Sequence, residues 1–308
     1  MTNLRSLLCC LPLAMLASAC GAELQAPSSI PRDACHDVED PQRYWLEVRA
    51  NAKTADADTI APLLADCLRS SDPVLRDRVA YEVLTYWIRQ NEISSPVMRA
   101  LVFRLQDWLS LTESPDEMDP AIARAFSALV LSELVRADTE DQFLTADELS
   151  ALLISACAMF AAERDYRGLD PNLGWIHAVA HGSDLLWRLS ANPNFTYDQL
   201  VLILDAIAEQ LTVAAAPAFI FNEPDRIARV VSRITARSQV PQSTVANWLS
   251  RITDPGDLLS WNNAFGSTAG MAKLHNTKNF LRALRESLAN DAQLELVSQV
   301  DEHLATLP

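Results

Sequence analysis

Two similar segments decide the fold, DPVLRDRVAYEVLTYWI at residues 72–88 and DPAIARAFSALVLSELV at residues 119–135. Each begins with Asp-Pro, which caps and opens a helix because proline is tolerated in the first turn. Each then places an arginine and an alanine ahead of leucine-rich turns. The two segments begin 47 residues apart, close to the two-helix period of HEAT and armadillo repeats. This spacing predicts a right-handed α-solenoid of antiparallel helix pairs with a curved concave face.

Outward from these segments, apolar residues recur at three- and four-residue intervals, as they do in amphipathic helices. The 308 residues include only seven glycines, and 49% of the residues are hydrophobic. No run of alternating polar and apolar residues suggests a strand, so we expect an all-α protein. Helices are predicted at 56–70, 74–90, 97–109, 121–137, 149–166, 175–191, 196–213, 223–238, 243–253, 268–288 and 291–304.

Residues 1–19 resemble an export signal. Arg5 supplies the positive charge, residues 7–16 the apolar core, and residues 17–19 the small side chains before a cleavage site. Cys20 follows directly, as the lipid-carrying cysteine follows a bacterial lipobox, although a lipobox usually has leucine three residues earlier. Residues 17–19 (ASA) also satisfy the ordinary rule for cleavage to a soluble product. We therefore expect a protein lipidated at Cys20 and facing the periplasm of the bacterial cell envelope, with a soluble periplasmic or secreted protein as the alternative.

Residues 20–39 are predicted to be a tether, because the first part of this range is rich in proline and glycine and lacks helical periodicity. No long linker divides the remainder, so residues 40–308 are expected to form a single helical-repeat domain. The formal net charge of −15 argues against a nucleic-acid partner, since such binding depends on neutralising phosphates. The same negative charge argues against basic patches that bind anionic lipid. Membrane contact is therefore expected only through the N-terminal lipid anchor.

Three cysteines lie beyond Cys20, which is an odd number for an oxidising compartment. A disulfide between Cys35 and Cys67 is the most economical pairing and would tie the N-terminal segment to an early helix. Cys157 lies in an apolar helix and is interpreted as a buried thiol. The alternative is that all three are buried free cysteines.

The polar residues gather in one stretch, ERDYRGLDPNLGWIHAVAHGSDLLW at residues 163–187. A charged run leads through a loop of Gly, Pro and Asn into a predicted helix that carries His177, His181 and Asp184. At about 100° per residue, positions i, i+4 and i+7 fall on one stripe of a helix. The three side chains are therefore expected to point in the same direction, and this stretch is the candidate functional surface.

Three interpretations of this stretch stay open. A metal could be held by His177, His181 and Asp184, since an i, i+4 histidine pair has suitable spacing, but the glutamate base of HExxH is missing. A fourth ligand would then come from the residues Glu163, Asp165 or His275. Alternatively the residues play a purely structural part, with an ion pair between Asp165 and Arg167 holding the loop.

A metal-free pocket is the remaining interpretation. Asp184 would accept a hydrogen bond from His181 and fix its tautomer. Arg164 and Arg167 would then clamp an anionic group, and Trp175 would offer a flat apolar wall. The pocket would suit a ligand with a carboxylate or a phosphate.

The motif in residues 165–186 resembles a bacterial family of domains of unknown function, number 2785. The matching pattern is D-x-R-G, then G-W-x-H-x-x-A-H-x-x-D-L-L, which covers about 22 residues. The resemblance implies an all-helical, HEAT-like fold and supplies no catalytic assignment. This chain departs from the pattern at Ser183, where alanine is expected, and carries an export signal that many members lack.

Two classes of function follow. The first is a surface-tethered helical-repeat protein that binds an unknown partner protein or a small anionic ligand near residues 163–187, with Asp165, Arg167, Trp175, His177, His181 and Asp184 as the candidate contact residues. The second is a hydrolase-type enzyme that uses His177, His181 and Asp184, with or without a metal. No GxSxG, GxGxxG or P-loop motif is present in the sequence, so no cofactor is predicted.

Overall fold

The computed structural model describes residues 34–113 and 118–308, and this part of the chain is all-α apart from one short hairpin. The predicted signal peptide (1–19), Cys20 and most of the predicted tether lie outside the described residues. The helices are α1 (Pro41–Ala50), α2 (Ala57–Leu64), α3 (Glu82–Gln90), α4 (Ser95–Trp108), α5 (Pro120–Glu140), α6 (Ala146–Ala162), α7 (Ala178–Ser190), α8 (Tyr197–Leu211), α9 (Glu223–Thr235), α10 (Gln242–Ile252), α11 (Thr268–Asn290) and α12 (Leu294–Ala305).

Short helical pieces of other types extend these helices. A 3₁₀ turn (Ala65–Arg69) continues α2, and a π-helical stretch (Val74–Tyr81) runs directly into α3. Two further 3₁₀ turns (Gly256–Leu258 and Trp261–Gly266) precede α11. The π-helical stretch lies within the first of the two Asp-Pro segments, where the sequence predicts an ordinary α-helix.

Local capping signals place the helix starts. The Asp119 carboxylate accepts a hydrogen bond from the Ala121 amide at the first turn of α5. Thr145 and Glu148 form a complete capping box at the start of α6, in which each side chain bonds the backbone of the other residue. Such caps satisfy amide groups that have no partner within the helix.

Alternate helices pack in two rows. The helices α4, α6, α8, α10 and α12 contact one another in that order, and α3, α5, α7, α9 and α11 do the same. The rows meet where α4 packs on α5, α6 on α7 and α11 on α12. The central helix α5 is buried along most of its length and packs extensively on α7, which carries the candidate residues.

The N-terminal end is fastened by a disulfide between Cys35 and Cys67, and both residues are buried. The Trp45 indole donates a hydrogen bond of 2.9 Å to the Cys35 carbonyl, and the Ala34 amide donates one of 3.1 Å to the Asp66 carboxylate. The packed region therefore extends N-terminally past residue 40, where the sequence analysis places the start of the domain. Cys157 is a buried free thiol, and burial raises its pKa to about 12.

Two helix boundaries differ from the predictions in ways that affect the candidate site. Helix α6 ends at Ala162, where the sequence predicts helix to residue 166. Helix α7 begins at Ala178, where the sequence predicts helix from residue 175. The residues between them form two paired strands, β1 (Leu169–Asp170) and β2 (Gly174–Trp175), which are too short for an alternating pattern.

None of the helices in the described ranges is both long and apolar enough to cross a membrane.

Candidate functional site

The hairpin of β1 and β2 is the local frame of the site. Its turn is closed by the Asp170 carboxylate, which accepts hydrogen bonds from the amides of Asn172 (2.8 Å) and Leu173 (2.9 Å). Gly174 then adopts a φ of +71°, in the left-handed region that glycine enters without strain. Across the two strands Leu169 is paired with the Trp175 backbone, so the two side chains lie on the same face.

Arg76 lies in the π-helical stretch and is completely buried. Its guanidinium group holds the hairpin through hydrogen bonds. Its Nη2 donates hydrogen bonds to the carbonyls of Leu173 (2.6 Å) and Trp175 (3.2 Å). Its Nη1 reaches the Ser70 carbonyl (3.2 Å), and its Nε pairs with the Asp77 carboxylate (2.8 Å). One guanidinium group thus joins the chain at Ser70 to the hairpin, and Arg76 is not among the residues predicted from the sequence.

Glu163 is a second buried charged residue, and it fixes the beginning of the segment 163–187. Glu163 is 2% exposed and forms a two-pronged ion pair with Arg124 of α5, with both N–O distances at 2.8 Å. The same carboxylate accepts hydrogen bonds from the amides of Arg164 (2.9 Å) and Asp165 (2.8 Å). Glu163 therefore turns the chain out of α6 and is fully occupied in doing so.

Both arginines of the predicted anion clamp already have partners. The Arg167 guanidinium bonds the Asp165 carboxylate (2.9 and 3.0 Å) and the Asp119 carboxylate (2.7 Å), and these partners raise its pKa. Arg164 donates to the backbone carbonyl of Ala161 at the end of α6. The ion pair between Asp165 and Arg167 is the one expected from a structural role. An additional anion would have to displace the carboxylates that neutralise Arg167.

His177 does not lie on the helix. It is the residue that precedes α7, and its φ of +57° is in the left-handed region, which few non-glycine residues adopt. The prediction of a single helical stripe is therefore wrong at this position. The His177 ring still approaches His181, with 5.8 Å between ring centroids. Its Nε2 lies 2.6 Å from the Phe221 carbonyl, which can only accept, so Nε2 carries the proton.

The His181 side chain lies on α7, between Phe126 of α5 and the charged groups of Arg76 and Arg226. Its ring meets Phe126 of α5 edge to face, with 5.3 Å between centroids, and its Nδ1 is buried without a hydrogen-bond partner. Burial lowers the pKa of His181 to about 3, and the neighbouring charges of His177 and Arg226 act in the same direction. The imidazole is therefore neutral at ordinary pH.

The hydrogen bond expected between His181 and Asp184 does not form. The Asp184 carboxylate instead forms an ion pair with Arg226 of α9. Among the described residues there is no group of three or more histidine, cysteine, aspartate or glutamate side chains that could hold a metal ion. The three residues considered as metal ligands, His177, His181 and Asp184, are thus not arranged around a common point.

The exposed part of the site is aromatic. Trp175 is 44% exposed and lies against His177, with 5.1 Å between ring centroids, and against the edge of Phe221 at 5.8 Å. Leu169, its neighbour across the hairpin, is 56% exposed. Phe221 packs so closely on Gly168 that a β-carbon there would overlap its ring. This arrangement is a rigid apolar surface beside a histidine.

Sequence reasoning missed Phe221, which comes from the loop before α9. The sequence does contain a signal for this residue. Asn222-Glu223-Pro224 marks the start of a helix, and Phe221 directly precedes these three residues. Arg226 and Asp119 were also missed as partners, since nothing in the sequence states which distant residues meet.

Comparison with known proteins supports the family resemblance of the motif in residues 165–186. Residues 112–285 match the family model described as a protein of unknown function (DUF2785). No curated protein and no solved structure gives a significant match. The matched range covers more than half of the chain, from the start of α5 into α11, and includes every candidate residue of the site. The chain belongs to the DUF2785 family.

Proposed function

We propose that this protein is a helical-repeat binding module, and that the exposed face of the hairpin contacts a partner protein. The repeat interpretation is supported by hydrogen bonds that recur between successive helices of one row. Pairs of residues separated by 49, 49, 47 and 53 positions join α4 to α6, α6 to α8, α8 to α10 and α10 to α12, namely Gln106–Ser155, Ser150–Gln199, Tyr197–Thr244 and Gln242–Glu295. These separations are close to the period of 47 residues in the sequence, as expected for a solenoid of stacked helix pairs.

The observation that carries the proposal is the exposed pair Trp175 and Leu169 on a hairpin that cannot easily move. Arg76 bonds the carbonyl of Leu173 at the end of the turn and that of Trp175 in β2, and Phe221 packs against Gly168 next to β1. A tryptophan held in one position loses little conformational entropy on binding, which is why rigid aromatic residues dominate the energetics of many protein interfaces.

A protein segment fits this surface better than a small anion. The adjoining groove, of about 790 Å³, is wide and open and is lined by residues 164–167 together with Val213, Ala215 and Pro217. Of its two arginines, Arg167 is neutralised by Asp165 and Asp119, and Arg164 donates to the backbone carbonyls of Ala161 and Glu163. The partner is therefore expected to supply an extended segment with a large apolar side chain for Trp175.

Site-specific photo-crosslinking in native host cells tests this proposal. A photoreactive residue replacing Trp175 or Leu169 is expected to give the same discrete adduct, because both positions contact one partner. The matched control position is Ile154, which is 60% exposed but lies on α6 away from the hairpin. Absence of adducts at both hairpin positions, or the same adducts at Ile154, would overturn the proposal.

We also propose that the protein is exported and anchored by lipid on Cys20, which is supported by the export signal and the small residues before this cysteine. Replacing Cys20 by alanine is expected to abolish incorporation of labelled fatty acid and to release the protein from the membrane fraction. Continued sedimentation of Cys20→Ala with membranes would contradict the lipid anchor.

A further inference from the structure

Three arginines surround one tryptophan on the surface formed by α7 and α9. The guanidinium carbons of Arg188, Arg229 and Arg233 lie 4.6, 4.7 and 4.4 Å from the centre of the Trp187 ring. Arg229 and Arg233 lie on one face of α9, since they are four residues apart. All three positive charges are therefore gathered within 4.7 Å of a single point.

These arginines differ from their neighbours in having no anionic partner. Arg89 and Arg136 pair with Glu133, and Arg226 pairs with Asp184. Across the described parts of the chain, no carboxylate lies within ion-pair distance of the three arginines around Trp187. Unpaired arginines are unexpected in a chain with 40 acidic and 25 basic residues.

The cluster is costly without a ligand. Burial and the charges of the other arginines lower the pKa of Arg233, and burial is also the main cause that lowers the pKa of Arg188. The Nε of Arg233 is buried and has no hydrogen-bond acceptor. A buried donor left without an acceptor destabilises the folded state. Carboxylates do face the cluster, with Glu133 and Asp184 towards Arg188 and Asp291 towards Arg233, but they bond other groups.

We propose that Arg188, Arg229 and Arg233 bind a phosphoryl group, held as the dianion of a phosphate monoester or diphosphate. A guanidinium group stacked on an aromatic ring keeps its N–H edges free, so Trp187 can hold the arginines while they donate outward. A phosphate monoester carries a charge of about −1.5 to −2 near pH 7 and three acceptor oxygens. It can accept hydrogen bonds from several of the guanidinium groups around Trp187, whereas a single carboxylate has one charge and two oxygens.

This site is separate from the hairpin surface and does not depend on the proposed partner. The phosphoryl group could belong to a soluble metabolite or to a lipid headgroup, and both present the same chemistry to the arginines. Titration calorimetry with pyrophosphate tests the soluble form, and sedimentation with phosphatidylcholine vesicles, with and without phosphatidic acid, tests the lipid form.

We expect the wild-type protein to bind pyrophosphate, or vesicles that contain phosphatidic acid, and to bind acetate much more weakly. Arg229→Gln combined with Arg233→Gln is expected to weaken binding by at least about tenfold, since charge-assisted hydrogen bonds are lost. Arg229→Gln alone, at an exposed position, is expected to weaken binding without affecting folding. The matched control is Arg43→Gln with Arg285→Gln, which removes the same charge from exposed positions on α1 and α11.

Three results would overturn the proposal. The first is that neither pyrophosphate nor the phosphatidic acid vesicles bind. The second is that acetate binds as tightly as pyrophosphate. The third is that the control variant loses as much affinity as the cluster variant, which would indicate only a general response to net charge. Crosslinking at Trp175 is unaffected by any of these results, so the two proposals fail independently.

Discussion

Replacing Arg76 by methionine is expected to destabilise the protein by about 3–5 kcal/mol, which corresponds to a fall in Tm of roughly 10 °C for a domain of this size. The guanidinium is completely buried and donates to the carbonyls of Ser70, Leu173 and Trp175. Methionine fills much of the space but leaves these carbonyls without a donor. It also leaves the Asp77 carboxylate without the arginine that bonds it. Thermal and urea denaturation followed by circular dichroism measure the effect.

The matched control is Arg43→Met, because Arg43 also forms an ion pair but its side chain is 76% exposed. Exposed pairs contribute little, so the change in stability is expected to stay within about 0.5 kcal/mol. Arg76→Lys separates charge from geometry: lysine keeps the charge but cannot reach several segments at once, and it is expected to recover only part of the loss. Equal stability of Arg76→Met and Arg43→Met would show that Arg76 does not hold the hairpin.

The helical part of the fold follows from local signals in the sequence. The Asp-Pro opening and the leucine spacing predict a helix at 121–137, and α5 spans Pro120–Glu140. Helix α6 is also predicted, but it begins at Ala146, directly after the capping residue Thr145, and not at residue 149. The π-helical stretch Val74–Tyr81 was not predicted, because its altered hydrogen bonding leaves no recognisable pattern of residue types.

The position of the candidate site could be predicted from the sequence, but its geometry could not. The motif located the right segment, and its family resemblance is confirmed by the match over residues 112–285. The spacing of His177 and His181 suggested a helical stripe, but a two-stranded hairpin ends the loop and leaves His177 in a left-handed conformation. The residues that bond Leu173, Arg167 and His177 are Arg76, Asp119 and Phe221, respectively. All three lie far from this segment in the sequence. Spacing within one helix carries no information about them.

We expect His181 to make the stability of this protein sensitive to mild acid. Its pKa in the folded protein is lowered to about 3 because the ring is buried against Phe126 and faces the positive charges of Arg226 and Arg76. In the unfolded chain the same imidazole takes up a proton below about pH 6.5. The unfolded state therefore binds more protons between these two values. The stability contributed by neutral His181 is fully present above pH 6.5 and is lost progressively as the pH falls towards 3.

We expect this residue alone to lower the free energy of unfolding by up to about 2 kcal/mol between pH 7 and pH 5. The measurement is urea unfolding at both pH values for the wild type and for His181→Phe, which keeps an aromatic ring against Phe126 and cannot be protonated. Carboxylates that titrate in the same range contribute equally to both proteins, so the difference between them isolates His181. His275→Phe is the matched control, because it makes the same replacement at a histidine that lies exposed on α11. If His181→Phe loses as much stability as the wild type between pH 7 and pH 5, then His181 is protonated in the folded protein at pH 5, and the lowered pKa described for its ring is wrong.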